Sequence, residues 1–227
     1  IFAAAGKIDF KIIATSAPVP KGEAVLVKES SGIDGVKDLK GKKIALNKGS
    51  NVHWLLVRLL EANGMTLDDV EVNYLKPAEA RPAFDNGQVD AWVIWDPYFA
   101  LAEQPGVKIL ADATGLAENR EYVLATPEAL RTKGELIREF LKTYREVTDW
   151  GIAHPEERAR ILAPELKIPE DTTRRALERS AQPLAPVTPE IGDELQAIAD
   201  EFAELRLIPA KIDIKSRIDE RYADLLR

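Results

Sequence analysis

Between Val89 and Trp95 the chain reads Val-Asp-Ala-Trp-Val-Ile-Trp, apolar at every position except Asp90. A strand that is apolar on both faces is stable only inside a sheet covered on each side, as an interior strand of a parallel sheet lying under helices is. Upstream, Ile44-Ala45-Leu46 reads as another short buried strand, and Asn47-Lys48-Gly49 as the turn that leaves it. Ser50 or Asn51 can cap the next helix, whose apolar positions Val52, Leu55, Leu56, Leu59 and Leu60 keep helical spacing up to a stop at Gly64. A strand, a glycine turn and a fresh helix N-terminus leave backbone N–H groups facing outward, which favours a bound anion. Taken alone, such a loop is more often a simple cap than a site.

The remainder of the first half repeats the alternation. Lys11-Ile-Ile-Ala14 and Glu23-Ala-Val-Leu-Val-Lys28 read as strands separated by Pro18, Pro20 and Gly22, and Val36 to Lys40 as a short helical turn. Val70 to Leu75 alternates as a strand, Pro77 opens a helix that Pro82 should bend or shorten, and Asp96-Pro97 caps and starts a helix from Tyr98 to Glu103. Val107 to Ala111 and Glu121 to Ala125 complete the strands, an order that predicts βαβ units in an open α/β sheet. From Thr126 onward helix follows helix. One is striped by Leu136, Ile137, Phe140, Leu141, Tyr144 and Val147; others run over Glu156 to Ala163 and Pro169 to Ser180, and the last is striped by Ile191, Leu195, Ile198 and Phe202. No separate sheet is expected there, so these helices should cover the earlier strands.

Several functions are excluded by what the chain lacks. It has 227 residues, 45% hydrophobic and 30% charged, with no apolar run near the roughly 20 residues of a membrane-crossing helix. A net charge of −7 and a pI near 5.1 argue against a nucleic-acid surface, which needs clustered Lys and Arg. Cysteine is absent and only His53 and His154 supply imidazole, so disulfides, thiol nucleophiles and the usual zinc sites are ruled out of these residues. No cofactor loop of either common glycine-rich type occurs. Ser50 has His53 nearby but nothing in sequence to orient that imidazole, which is expected to be solvated or partly packed. Asp85, Asp90 and Asp96 are not spaced as an acid–base pair. Arg174-Arg175 reads as a solvated face, and Glu118 and Arg120 as a polar loop, leaving Asn119 or Glu121 to place an amide or carboxylate at the last strand.

The strongest local signal is Trp95-Asp96-Pro97. Ligands of open α/β sheets gather at the carboxyl ends of strands, where both this motif and Gly49-Ser50 are expected. Trp95 offers a rigid wall for an alkyl chain, and Asp96 either accepts from a ligand donor or caps a helix.

Gly41-Lys-Lys-Ile-Ala45, Lys48-Gly-Ser50, Pro77 to Phe84, Gly87-Gln-Val-Asp-Ala-Trp-Val-Ile-Trp-Asp-Pro97 and Leu207 to Ile214 resemble, in order, the periplasmic substrate-binding proteins of ABC importers for aliphatic sulfonates, relatives of taurine- and nitrate-binding proteins. The resemblance implies an α/β, two-lobed periplasmic-binding-protein-like fold of type II. It puts crossovers near Val27 to Asp34 and Glu121 to Ala125, with residues 1–30 in lobe 1, 31–121 in lobe 2, and 122–227 returning to lobe 1. In such proteins several dozen residues precede the Ile1-Phe2-Ala3 segment, so part of the first lobe is expected upstream. The resemblance implies a monomer, periplasmic or lipid-anchored, that captures a small anion between its lobes and hands it to a membrane permease, without enzymatic chemistry, cofactor or metal. Ser50 and Asn51 match its anion cradle, Trp95 and Asp96 its cleft floor, and Glu121 and Tyr122 its second crossover. Ser180-Ala-Gln-Pro-Leu-Ala185 departs from the basic or aromatic residues of relatives, which leaves the anion open among sulfonate, taurine and nitrate. Two alternatives are a same-fold enzyme acting on a pyrimidine or menaquinone precursor and an effector-binding domain of a regulator.

Overall fold

The computed structural model describes residues 1–180 and 182–227. Two compact units divide the chain: residues 1–17, 120–153 and 182–227 form the first, and residues 18–119 and 154–181 the second.

In the first unit, α1 (Phe2–Ala5) precedes β1 (Lys11–Ser16). In the second, β2 (Glu23–Lys28), β3 (Lys43–Leu46), α2 (Asn51–Ala62), β4 (Glu71–Tyr74), α3 (Pro77–Asp85), β5 (Ala91–Trp95), α4 (Tyr98–Ala102) and β6 (Val107–Asp112) follow in order. The first unit resumes with β7 (Tyr122–Ala125), α5 (Pro127–Thr132) and α6 (Gly134–Ala153); α7 (Pro155–Leu166) and α8 (Glu170–Ser180) return to the second. β8 (Leu184–Ala185) and α9 (Pro189–Glu204) belong to the first unit.

The second unit is built on a five-stranded sheet ordered β4-β3-β5-β2-β6. Its covered-strand requirement is met at β5, where Ala91 to Ile94 are buried between two apolar layers. On one face α2 supplies Val52, Leu55, Leu56 and Leu60 against Val25, Val27, Ile44 and Val93. On the other, Phe84 of α3 and Phe99 of α4 pack on Leu26, Trp92 and Ile94. Each fully buried Leu or Phe contributes roughly 1.5–3 kcal/mol relative to exposure, so these layers hold the sheet far more firmly than any single polar contact. The sheet is mixed rather than parallel: β3 runs parallel to β4 and β5, but β2 is antiparallel to both β5 and β6. This corrects the expected parallel sheet: only the pairings of β3 with β4 and β5 are parallel.

That placement also moves the first division. β2 is hydrogen-bonded between β5 and β6, so it belongs to the second unit, and the chain passes over at Ala17 and Pro18 where the expectation had residues 1–30 together. The second passage falls at Asn119 and Arg120. Residues 154–181, expected with the C-terminal lobe, group with the second unit.

In the first unit β1 is the middle strand of a three-stranded antiparallel sheet ordered β7-β1-β8, so a two-residue strand does arise in the C-terminal half. Ile12, Ile191, Leu195 and Ile214 form one apolar layer, and Ile13, Leu130, Leu141 and Tyr222 another. The α6 stripe is only partly used: Leu141 is buried, whereas Leu136 is 65% and Val147 58% exposed. Pro82 sits inside α3 without ending it. Pro97 is the residue before α4 rather than its first, and Asp96 Oδ1 instead accepts from the Ala100 amide at 3.0 Å.

Candidate functional site

β3 and β5 are parallel, and β2 runs against β5 with Glu23 opposite Trp95. One end of the sheet therefore gathers the last residues of β3 and β5, the first of β2 and the start of α2.

Gly49 closes the turn after β3 with φ +76°, a left-handed conformation that a side chain would strain. Ser50 occupies the N-cap position of α2 with extended backbone, as the sequence predicts, yet its hydroxyl does not cap. It donates back to the Asn47 carbonyl at 2.6 Å. The His53 amide bonds to the Ser50 carbonyl at 3.1 Å, and the Gly49 amide donates to His53 Nδ1 at 3.3 Å. The Asn51 and Val52 amides find no acceptor among the described residues. Two open N–H groups at the positive end of a twelve-residue helix are suited to an anion.

His53 is fully buried, against the expectation of a solvated or partly packed ring. It lies edge-on to Tyr74 with centroids 5.5 Å apart. Burial, aided by the nearby Lys48 charge, lowers its pKa to about 4, so it is neutral and shapes the turn as an acceptor.

Asn51 is exposed at the mouth of this helix start. Its Nδ2 donates to Asn119 Oδ1 at 3.0 Å, and Asn119 Nδ2 donates to the Val19 carbonyl at 3.0 Å. Asn119 adopts φ +49° to do so, which Asn tolerates better than most residues. Trp95 is half-buried, packs against both apolar layers and meets Tyr98 in a T-shaped contact at 6.2 Å.

Asp96 is turned away to a different task. Arg179 of α8 holds it through Nε–Oδ2 at 2.8 Å and Nη2–Oδ1 at 2.9 Å, while also reaching Glu103 at 2.9 and 3.0 Å and lying over the Phe99 ring at 3.9 Å. Burial raises the Asp96 pKa and the Arg179 bonds oppose it; the Arg179 pKa is raised because its bonds to Glu103 and Asp96 outweigh its own burial. Both Asp96 oxygens are thus occupied within the protein.

Glu121 and Tyr122 lie in the first unit. The Glu121 carbonyl accepts from the Ser16 amide and the Thr15 hydroxyl, each at 2.9 Å, and its amide donates to Ser16 Oγ at 3.0 Å; its side chain is exposed. Tyr122 packs at the edge of the Ile12–Leu195 layer. Of the residues expected at the site, Ser50, Asn51, Trp95 and Asp96 belong to the second unit and Glu121 and Tyr122 to the first.

Glu23 and Arg179 were not singled out as site residues by the sequence, whereas Asn119 was left open as an amide near the last strand and meets Asn51 at the α2 start. Glu23 reads there as the polar end of a strand, yet it is fully buried with neither carboxylate oxygen hydrogen-bonded. Residue 181, inside the stretch that departs from the relatives, lies outside the described residues.

The NMT1/THI5-like family matches residues 5–158. The chain belongs to the NMT1/THI5-like family. An aliphatic sulfonates-binding protein of Escherichia coli (strain K12) is 39% identical over 220 residues, covering 96% of this chain and 69% of that protein. The crystal structure of the periplasmic aliphatic sulphonate binding protein SsuA from Escherichia coli matches with TM-score 0.90 and 38% identity, over 96% of this chain and 72% of that one. The alkanesulfonate-binding protein SsuA from Xanthomonas axonopodis pv. citri, bound to MOPS, gives TM-score 0.90 at 31% identity, over 96% and 76%. The fold of this NMT1/THI5-like chain is accordingly the two-lobed α/β fold of periplasmic binding proteins.

Proposed function

We propose that this NMT1/THI5-like protein is the solute-binding component of an ABC importer, that it captures an aliphatic sulfonate or similar small oxyanion, and that it delivers the anion to a membrane permease. The observation that carries the reading is the pair of open amides at Asn51 and Val52, set at the carboxyl ends of β3 and β5. Such amides satisfy an oxyanion by hydrogen bonds alone, without a full counter-charge, so the anion can be released again. Asn51 adds a side-chain amide, and Trp95 a flat apolar surface for an alkyl chain. Asp96 supports this floor by anchoring Arg179, and Glu121 and Tyr122 are proposed contacts within their own unit. The named relatives are binding proteins, which favours capture over catalysis. A periplasmic or lipid-anchored extracytoplasmic location and a monomeric state complete the proposal; no helix among the described residues is long and apolar enough to cross a membrane.

Calorimetric titration of the full-length protein against alkanesulfonates, taurine and nitrate tests it. Saturable one-to-one binding of at least one sulfonate is expected, and failure of every anion to bind overturns it.

A further inference from the structure

Glu23 begins β2 and is completely buried, with both carboxylate oxygens lacking a hydrogen-bond partner. Its direction follows from strand alternation. Val25 and Val27 pack with Val52, Leu55 and Leu56 of α2, whereas Ala24 and Leu26 pack in the opposite layer, so Glu23 points to the α2 side. Its register opposite Trp95 puts it at the end where α2 starts. Burial raises its pKa to about 8, against the smaller opposing pull of the Asn51 side chain, which stands beside the carboxyl without closing a well-formed hydrogen bond to it. Among the described residues, the surrounding elements bring no cation to it. His53 on α2 is neutral, Asp96 after β5 is held by Arg179, and Asp112, across from Ala24, takes the Thr114 amide. Lys21 and Glu118 are exposed.

The orientation of the Asn51 amide is fixed from outside. The Val19 carbonyl can only accept, which makes its Asn119 partner atom the nitrogen; Asn119 Oδ1 then requires the nitrogen of Asn51. One Asn51 N–H is used in this relay, and the second is available.

We propose that Glu23 links anion capture to a proton. As a neutral acid it leaves the second Asn51 N–H and the α2 amides to an oxyanion; once ionised it draws that N–H to itself and sets a buried negative charge under the same helix start. The inference rests on the reading of the α2 start as the anion site and deepens it: Glu23 is a positioning residue acting through Asn51, and capture weakens in alkaline solution. An ionised carboxylate is the stronger acceptor, and a buried charge is poorly screened. If only the neutral form binds, affinity scales with the neutral fraction, which falls about 30-fold between pH 7 and pH 9.5 for a group titrating near 8.

The experiment is calorimetry of the full-length protein with a short alkanesulfonate that has no other ionisable group, from pH 6 to 9.5. Wild type should lose affinity by about 30-fold between pH 7 and pH 9.5, and at pH 8.5 should take up protons on binding, read from two buffers of different ionisation enthalpy. Glu23→Gln, neutral at every pH, should bind with a flat profile and no buffer dependence. A flat wild-type profile without proton uptake overturns the linkage and leaves anion capture standing. Binding at no pH overturns capture itself. Proton release with tighter binding at high pH also overturns the proposal, since Glu23 would then be serving a cationic group. The buffer measurement on wild type decides the matter even if Glu23→Gln does not fold.

Discussion

Arg179 grips Asp96 through two parallel bonds of 2.8 and 2.9 Å and clasps Glu103 with its remaining N–H groups. Asp96 has a side chain only 4% exposed, so deleting its partner strands a buried charge. Arg179→Ala should therefore destabilise the protein by about 3–5 kcal/mol. Arg174→Ala, which breaks the exposed pair with Glu178, should change stability by no more than about 1 kcal/mol. Urea denaturation of the two variants side by side checks the contrast.

Glu23 predicts an alkaline loss of stability. Its folded pKa of about 8 lies above its ordinary value of 4.5, so the folded state holds a proton that the unfolded state has released between those values. Stability from this group is complete below pH 4.5 and declines as pH rises towards 8. Glu23→Gln should raise the melting temperature at pH 8, by the equivalent of about 2–4 kcal/mol, and change it little at pH 4. Equal shifts at both pH values would speak against a neutral Glu23.

His53 predicts the opposite slope at lower pH. Its folded pKa of about 4 lies below its ordinary 6.5, so the unfolded state binds the extra proton in between, and stability is lost as pH falls through that window. His53→Asn, whose side-chain oxygen can take the Gly49 amide, should flatten the melting temperature between pH 6.5 and 4. Because the Glu23 and His53 terms oppose each other from pH 4.5 to 6.5, each single variant should expose the slope of the other.

Asn51 allows folding and binding to be separated. An acidic residue in the first turn favours the helix, which offsets part of the cost of turning a carboxylate towards Asn119 Oδ1, so Asn51→Asp should fold with only a modest loss of stability. The added carboxylate repels an oxyanion at the Asn51 and Val52 amides, and sulfonate affinity should fall at least tenfold, about 1.4 kcal/mol. Ser50→Ala should have a smaller effect, because the Ser50 hydroxyl already donates to Asn47. Parallel melting curves and calorimetry measure both.

The α2 segment was legible in sequence because three signals agree there: a short apolar run, a glycine turn and a 3.6-residue stripe. Trp92 and Ile94 likewise announced an interior strand. The direction of β2 was not legible, since Glu23 to Lys28 looks the same beside a parallel or an antiparallel neighbour. Asp96 before Pro97 carries the signature of a helix cap, and that role is met through Ala100, but nothing local tells that Arg179 will occupy both oxygens. Glu23 was missed for a related reason. A carboxylate at a strand end is normally solvated, and only the tertiary packing of α2 over it reverses that.

The return of α7 and α8 to the second unit has a consequence during synthesis. The sheet that holds Asp96 is complete once β6 has emerged, but the guanidinium that neutralises Asp96 and Glu103 is translated only after β7, α5, α6 and α7. Until then the nascent second unit carries two acidic groups beside the Phe99 ring with no cation from α8, so its final closure waits on a ribosome already far into the first unit's own helices.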